Sequence, residues 1–269
     1  MITIMITERC NYKCSHCLLT CNNRGIDITP DTLRNAQKIL ENSGGVNILG
    51  GEPFLNKQFD YVIQQLAFAN TWQYVRIVSN GSWIYSKQKT EKVMNTYRSI
   101  LHNGKFDSVE LCISNDIYHQ EFWKQSDHIK QIEREVEDAG LTEYNGFYLV
   151  KSERKPEDVI SLGRAKTEIG WCNMDSKGAS CMDIIYDKQN NPENDIYPLE
   201  DLFIYPNGDY SPCCQGVVKI GNINRESMDT INGKLLAFYD SLLNKDLHFG
   251  DCKNCAKINA EVIKEITKD

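Results

Sequence analysis

The chain of 269 residues is long enough for one α/β domain of barrel size with a small appendage, and its 41% hydrophobic and 25% charged residues are ordinary for a globular protein. A net charge of −7 argues against nucleic acid as the main partner, because phosphate binding needs a basic face. No apolar run approaches membrane-spanning length and the N-terminus is too quickly polar for a signal peptide, so we expect a cytoplasmic protein without a membrane partner.

Strand-like and helix-like segments alternate along the first two thirds of the chain. A short apolar run at residues 2–7 predicts the first strand, and Thr29 followed by Pro30 predicts the capped start of the first helix. Further strands, separated by helices, are predicted at residues 46–49, 74–81, 108–114 and 146–152. Such β-α repeats predict an α/β fold with a parallel sheet, built as an open partial barrel with its chemistry at the carboxyl ends of the strands.

The pattern changes after about residue 165. Residues 201–214 read as two short strands around a Pro-Asn-Gly-Asp turn, and a helix over residues 227–244 then leads to the sequence DCKNC. We therefore divide the chain into a partial barrel at residues 1–170 and a small α+β C-terminal domain at residues 171–269.

Eleven cysteines are unusual for a chain of this composition. An odd number in a reducing compartment fits a disulfide framework poorly. Most of them fall into two groups, four within the first 21 residues and five between Cys181 and Cys255. This distribution predicts two metal centres.

The first group opens with CNYKCSHC, which places Cys10, Cys14 and Cys17 directly after the first strand. Zinc prefers four protein ligands, commonly in paired C-x-x-C units. Three closely spaced thiolates instead suit three irons of a [4Fe–4S] cluster, whose fourth iron is left for another ligand. The spacing therefore favours iron, with zinc as the alternative.

With this loop and three later segments, the sequence resembles the radical S-adenosylmethionine (SAM) enzymes, which carry this cysteine spacing after the first strand of a partial (β/α)6 barrel. The three segments match motifs of that family in order: Gly50-Gly51-Glu52-Pro53, Ser79-Asn80-Gly81 and Gly163-Arg164-Ala165. The resemblance covers roughly residues 1 to 170.

The resemblance implies that SAM binds the open iron and is cleaved to a 5′-deoxyadenosyl radical after one electron arrives from a flavodoxin- or ferredoxin-type donor. It also implies the cofactor contacts, which are Gly50, Gly51, Glu52, Pro53, Ser79, Asn80 and Arg164.

The second cysteine group resembles the twitch form of the SPASM extension, in which four cysteines hold an auxiliary [4Fe–4S] cluster. The matching ligands would be Cys181, Cys213, Cys252 and Cys255. A zinc ribbon is the alternative, because four thiolates suit either metal.

Cys214 is then one thiol more than the auxiliary cluster needs. Among twitch enzymes, the pattern is similar to the epipeptide-type peptide epimerases, which share the SNG-x-W segment, a Ser-x-Asp-x-Tyr-His segment at residues 114–119 and a hairpin ending in PCC. This resemblance implies that Cys214 returns hydrogen to the substrate radical and that Asp201 assists substrate placement. Cys181 lies farther before Asp201 than the family pattern has it, so the intervening residues form an insert.

The sequence thus predicts L-to-D epimerisation of a ribosomally made precursor peptide. The alternatives are peptide cross-linking (cyclophane or thioether), dehydrogenation of a small alcohol as in 2-deoxy-scyllo-inosamine dehydrogenase, which the short architecture also resembles, and a zinc-stabilised binding protein. The chain begins almost at its first strand, so we expect a peptide leader to bind the barrel or a separate protein.

The remaining candidates have simpler interpretations. We expect Cys112 to be a buried strand cysteine and Cys21 and Cys172 to be structural. His119 is a candidate for the wall of the substrate cavity.

Overall fold

A computed structural model describes residues 2–41, 45–69, 74–103, 106–153, 202–212 and 219–244. Five parallel strands form one continuous sheet in the spatial order β5-β4-β3-β2-β1. Their bounds are Ile2–Met5 (β1), Val46–Leu49 (β2), Tyr74–Ser79 (β3), Ser108–Ser114 (β4) and Phe147–Ser152 (β5). All five were predicted within about two residues, which confirms the α/β fold class with a partial-barrel arrangement.

Helices connect the strands and pack beside one another, with contacts from α1 to α2, from α2 to α3 and from α3 to α5. They are Pro30–Leu40 (α1), Phe59–Phe68 (α2), Lys87–Asn103 (α3), Ile117–Gln120 (α4) and His128–Asp138 (α5), with Met228–Asn244 (α6) near the end of the chain. The predicted start of α1 is confirmed, because the Thr29 side chain accepts a hydrogen bond from the backbone N–H of Thr32 and Pro30 begins the helix.

The predicted hairpin is also present, as strands Phe203–Ile204 (β6) and Asp209–Ser211 (β7). Its turn ends at Gly208, whose φ of +89° favours glycine. A short strand, Gly221–Asn222 (β8), pairs with β7 and completes an antiparallel edge.

The hairpin is not a separate appendage to the barrel sheet. Strand β6 pairs in parallel with β1, in the register Thr3 with Phe203 and Ile4 with Ile204. The hairpin therefore extends the barrel sheet on the far side of β1, and eight strands form one sheet. The division of the chain at residue 170 stays a prediction.

The main core lies between the sheet and the helices and is formed by aliphatic side chains of the strands and the inner faces of the helices. All four residues of β1 are buried, as expected for a parallel strand covered on both faces. Within the described residues, none of the helices combines the length and apolar character that crossing a membrane requires.

The central position of β1 gives a stability prediction. Ile4 is fully buried between β2 and β6, so Ile4→Ala removes apolar contacts and leaves a cavity, and the free energy of unfolding should fall by about 2 to 4 kcal/mol. The matched control is Ile26→Ala, because Ile26 is 45% exposed and its truncation should cost less than about 1 kcal/mol. Urea unfolding followed by circular dichroism measures both, and equal losses would contradict the central role of β1.

Candidate active site

The carboxyl ends of the parallel strands meet at one cavity of about 230 Å³. This is the edge at which open α/β sheets bind their ligands. Its wall combines the loop after β1, the ends of β2 to β5 and one residue of β6. The residues of this wall include Cys10, Cys14, His16, Cys17, Cys21, Gly50, Gly51, Ser79, Asn80, Ser114, Asp116, His119, Ser152 and Phe203.

The loop after β1 brings the three predicted cluster cysteines to this cavity, and we call it the cysteine loop. Cys10 is fixed by its backbone N–H, which donates to the carbonyl of Asn22 at 2.9 Å, and Cys17 donates in the same way to Cys14 at 3.2 Å. The backbone N–H of Tyr12 also donates to the Cys10 Sγ at 3.4 Å. The backbone of the loop therefore holds Cys10, Cys14 and Cys17 around a common space.

Two other cysteines have structural surroundings. Cys21 is buried among Met5, Phe203 and Tyr205, and a hydrogen bond with Cys17, together with burial, raises the pKa of its thiol. Cys112 is buried in β4, which confirms its prediction as a strand cysteine.

The loop after β2 approaches the cysteine loop very closely. Gly51 donates its N–H to the carbonyl of Thr7 at 2.9 Å, and Glu52 donates to the carbonyl of Arg9 at 2.7 Å. A Cβ on Gly51 would lie 2.5 Å from the Arg9 carbonyl oxygen and 2.7 Å from the Cβ of Cys10. Only glycine fits here, so this part of the predicted GGEP motif has a steric reason to be present.

Glu52 and Pro53 of the same motif are buried, whereas Gly50 and Gly51 form part of the cavity wall. The Glu52 carboxylate accepts hydrogen bonds from the backbone N–H of Asn80 at 2.7 Å and from the Ser79 hydroxyl at 2.9 Å. Burial nevertheless raises the pKa of Glu52 to about 7. The carboxylate thus joins the loop after β2 to the loop after β3.

The loop after β3 in turn contacts the cysteine loop. The side-chain amide of Asn80 donates to the Asn11 side chain at 3.2 Å and lies 3.9 Å from the Cys10 Sγ. Gly81 has a φ of +73°, and the indole N–H of Trp83 donates to the Ser79 hydroxyl at 3.1 Å. Both Ser79 and Asn80 are buried in the cavity wall, and their contact with the cofactor stays a prediction.

A pair of polar side chains beyond β4 completes the described wall. Asp116 caps the short helix α4 and binds the Nδ1 of His119 at 2.8 Å. His16, in the cysteine loop, stacks on Tyr118 with ring centroids 4.6 Å apart, and its Nε2 lies 3.9 Å from Asp116. Sequence reasoning placed His119 in the cavity wall but missed its partner Asp116; the Asp-x-x-His spacing at a helix start is the signal that predicts such a pair.

Several predicted site residues lie outside the described residues. They are Arg164, Cys172, Cys181, Asp201, Cys213, Cys214, Cys252 and Cys255. Their roles stay predictions.

Two family models match the chain. The model of the radical SAM superfamily matches residues 4–105, which contain the cysteine loop, GGEP and SNG, and these are the segments that meet at the cavity. The chain contains a radical SAM domain. A SPASM model, described as an iron-sulfur cluster-binding domain, matches residues 196–256, which include Cys213, Cys252 and Cys255 but not Cys181.

Curated relatives match about a third of the chain. The chain is 33% identical over 100 residues to the S-adenosylmethionine-dependent nucleotide dehydratase RSAD2 of Siniperca chuatsi, which is 35% of this chain and 27% of that protein. It is 30% identical over 95 residues to the mitochondrial GTP 3′,8-cyclase of Arabidopsis thaliana, which is 32% of this chain and 24% of that protein. The chain thus spans about a quarter of the length of the curated relatives it matches.

Solved structures match nearly the whole chain. The crystal structure of BtrN in complex with AdoMet and 2-DOIA is similar with a TM-score of 0.54, at 15% identity, over 90% of this chain and 86% of that one. Native anSMEcpe with bound AdoMet and Cp18Cys peptide is similar with a TM-score of 0.50, at 11% identity, over 99% and 96% of the two chains. At such identities the likeness shows a shared fold.

The radical SAM and SPASM matches imply [4Fe–4S] clusters and S-adenosylmethionine as cofactors. The described residues fit these groups. Four cysteines line one cavity and include the three predicted cluster ligands, two glycines leave its wall open, and a buried carboxylate accepts hydrogen bonds from neutral donors beside it.

The contact between Gly51 and the cysteine loop can be tested by substitution. Gly51→Ala should displace the loop at Cys10, because its new methyl group has no room. We expect the iron and sulfide content after anaerobic reconstitution to fall at least about threefold, since a misplaced ligand weakens metal binding. Gly233→Ala is the matched control, because nothing lies within 4 Å of the position of its Cβ in α6. Normal iron content in Gly51→Ala would refute the steric argument.

Buried His128 predicts a loss of stability in mild acid. The ring is fully buried against Gly81, stacks on Trp123 with centroids 4.6 Å apart, and shares a hydrogen bond of 2.7 Å with the Tyr85 hydroxyl. Burial lowers the pKa of His128 to about 4, whereas an unfolded histidine titrates near pH 6.5.

Between these two pH values the unfolded chain binds a proton that the native chain does not. This contribution to stability is complete above about pH 6.5 and falls as the pH drops towards 4, by up to about 3 kcal/mol. His128→Gln should therefore show a shallower decline of unfolding free energy between pH 7 and pH 5 than wild type. The control His102→Gln alters an exposed histidine of α3 and should keep the wild-type slope. An unchanged slope in His128→Gln would contradict the neutral state of the ring.

Proposed function

We propose that the protein is a radical SAM enzyme that converts an L-residue of a ribosomally made peptide to the D-form. The observation that carries the proposal is that Cys10, Cys14 and Cys17 line one cavity together with Gly51 and Asn80. In our assignment the three thiolates hold three irons of a [4Fe–4S] cluster, which leaves the fourth iron for SAM.

Residues of the loops after β2 and β3 would hold SAM. Glu52 is the natural partner for its ammonium group, because a positive charge offsets the burial that raises the pKa of this carboxyl. The backbone of Gly50, Gly51 and Pro53, with Ser79, Asn80 and Arg164, completes the predicted contacts.

Reductive cleavage of SAM at such a cluster supplies a 5′-deoxyadenosyl radical, which removes hydrogen atoms from unactivated C–H bonds. The chain itself must orient the substrate and exclude water from the radical. Loss of the Cα hydrogen atom from an L-residue leaves a planar carbon radical. In our proposal the Cys214 thiol returns a hydrogen atom from the opposite face, and an electron and a proton from the reductant then restore the thiol.

The assignment of Cys214 and Asp201 rests on the resemblance to the peptide epimerases. In the sequence the two residues flank the hairpin, because Asp201 precedes Phe203 of β6 by two residues and Cys214 follows Ser211 of β7 by three. The hairpin itself adds Phe203 to the cavity wall. We assign the auxiliary cluster to Cys181, Cys213, Cys252 and Cys255.

A second candidate reaction is the dehydrogenation of a small alcohol. The fold is shared with BtrN, which was crystallised with 2-DOIA, as well as with anSMEcpe, which was crystallised with a peptide. Peptide cross-linking is the third candidate. Our proposal includes a peptide as the substrate and a flavodoxin- or ferredoxin-type protein as the electron donor.

Deuterium incorporation separates these reactions. The reduced, reconstituted enzyme should be incubated with SAM in D2O together with synthetic all-L peptides that represent the short reading frames flanking its gene. Epimerisation exchanges the Cα hydrogen for one deuterium delivered by the exchangeable thiol, and the product contains a D-residue by chiral amino-acid analysis. Dehydrogenation and cross-linking instead remove two hydrogen atoms, which mass spectrometry detects.

Cys214→Ala should still cleave SAM but lose D-residue formation by at least about a hundredfold, because the carbon radical then lacks its hydrogen donor. The matched control is Cys112→Ala, since Cys112 is buried in β4. A Cys214→Ala enzyme that forms D-residues at the normal rate would exclude this donor. Bound zinc without iron-sulfur absorbance after reconstitution would instead support the zinc-stabilised binding protein.

A further inference from the structure

Asp116 and His119 form a connected pair at the cavity wall that has no role in the hydrogen-transfer steps of the proposed reaction. The Asp116 Oδ1 accepts hydrogen bonds from the backbone N–H groups of Tyr118 and His119, both at 3.1 Å, and contacts the His119 Nδ1 at 2.8 Å. Asp116 is only 6% exposed, so its side chain is fixed at the start of α4 by these contacts.

The contacts determine which nitrogen of His119 carries a proton. Burial opposes ionisation of Asp116, but its hydrogen bond with His119 and the neighbouring His16 outweigh that effect and lower the pKa of the carboxyl. An ionised carboxylate only accepts hydrogen bonds, so the Nδ1 of His119 is the donor. In the neutral ring, Nε2 therefore has a lone pair and accepts hydrogen bonds.

The ring of His119 lies beside the cysteine loop. It forms part of the cavity wall, with a side chain 15% exposed, and one of its ring nitrogens lies within 4.8 Å of the Cys14 Sγ. The ring of His16 packs edge-on against it, with centroids 4.9 Å apart. His119 is thus a fixed polar group in the cavity wall, next to the loop that carries the three predicted cluster cysteines.

We propose that His119 positions the substrate, with its Nε2 accepting a hydrogen bond from the backbone N–H of the residue that loses its Cα hydrogen. This proposal rests on the proposed function. A peptide has one such N–H next to every Cα except that of proline. A hydrogen bond to this N–H, together with the direction of the peptide chain, restricts rotation of the residue, so its Cα–H bond keeps one orientation relative to the radical. Asp116 acts through His119, because it fixes both the tautomer and the orientation of the ring.

Substitutions at the two positions should uncouple SAM cleavage from peptide modification. In His119→Leu the acceptor is lost, and we expect the ratio of 5′-deoxyadenosine to modified peptide to rise at least about tenfold, with a similar rise of KM for the peptide. His119→Gln retains an acceptor oxygen and should restore part of the coupling. The Kd for SAM and the iron content should stay at wild-type values.

Asp116→Ala tests the positioning separately. One Asp116 oxygen accepts from both backbone N–H groups and contacts Nδ1, so alanine removes the partner that holds the proton on Nδ1 and fixes the ring. This variant should be uncoupled in the same direction as His119→Leu although the ring is still present, and Asp116→Asn, which can place an oxygen at the same position, should restore part of the coupling. His102→Gln on the exposed face of α3 is the control and should be fully coupled.

The outcomes distinguish this proposal from the proposed function. With the synthetic peptides, absence of any modified peptide in the wild-type reaction overturns both. If the wild-type enzyme modifies the peptide, and His119→Leu and Asp116→Ala are coupled as well as wild type, only the role of His119 is overturned. Loss of iron in His119→Leu, or a raised Kd for SAM, would also overturn it, because His119 would then serve the cluster or the cofactor.

Discussion

The close approach of the loop after β2 to the loop after β1 is the constraint on which the cavity depends. Gly51 lies where a Cβ would overlap the backbone of Arg9 and the side chain of Cys10, and two backbone hydrogen bonds keep the loops in contact. Glu52, the next residue, holds Ser79 and Asn80 after β3. One short segment therefore fixes the ends of three strands relative to each other, and the sulfur atoms share a cavity because of it.

The pKa values of two buried carboxyl groups at the site are shifted in opposite directions. Glu52 accepts hydrogen bonds from neutral groups, so burial dominates and raises its pKa to about 7. Asp116 lies beside two histidines, whose interactions lower its pKa despite burial. The first carboxyl group is therefore suited to gaining a cationic partner, whereas the second already has partners and serves to orient one of them.

The sequence predicted the local elements well and their long-range arrangement less well. The strands β2 and β4 are short segments rich in aliphatic residues, and α1 has a capping threonine before a proline, so each is determined by neighbouring residues. The pairing of β6 with β1 has no such local signal, because it depends on which sheet edge is open. Spacing motifs predicted the cysteine and glycine positions of the cavity. The hydrogen bonds from Ser79 and Asn80 to Glu52, and the approach of His16 to Asp116, arise only when separate strands end at the same edge.

The pairing of Ile4 with Ile204 also bears on how the molecule is assembled. β1 is synthesised long before one of its two neighbours, which lies 200 positions later in the chain. Until that neighbour is made, one row of backbone N–H and C=O groups on β1 lacks its native strand partner, and such edges attract other chains. Contacts of this separation also form slowly. The strand that precedes the cysteine loop therefore gains its second partner strand late in folding. We expect stable insertion of iron to follow synthesis of the hairpin.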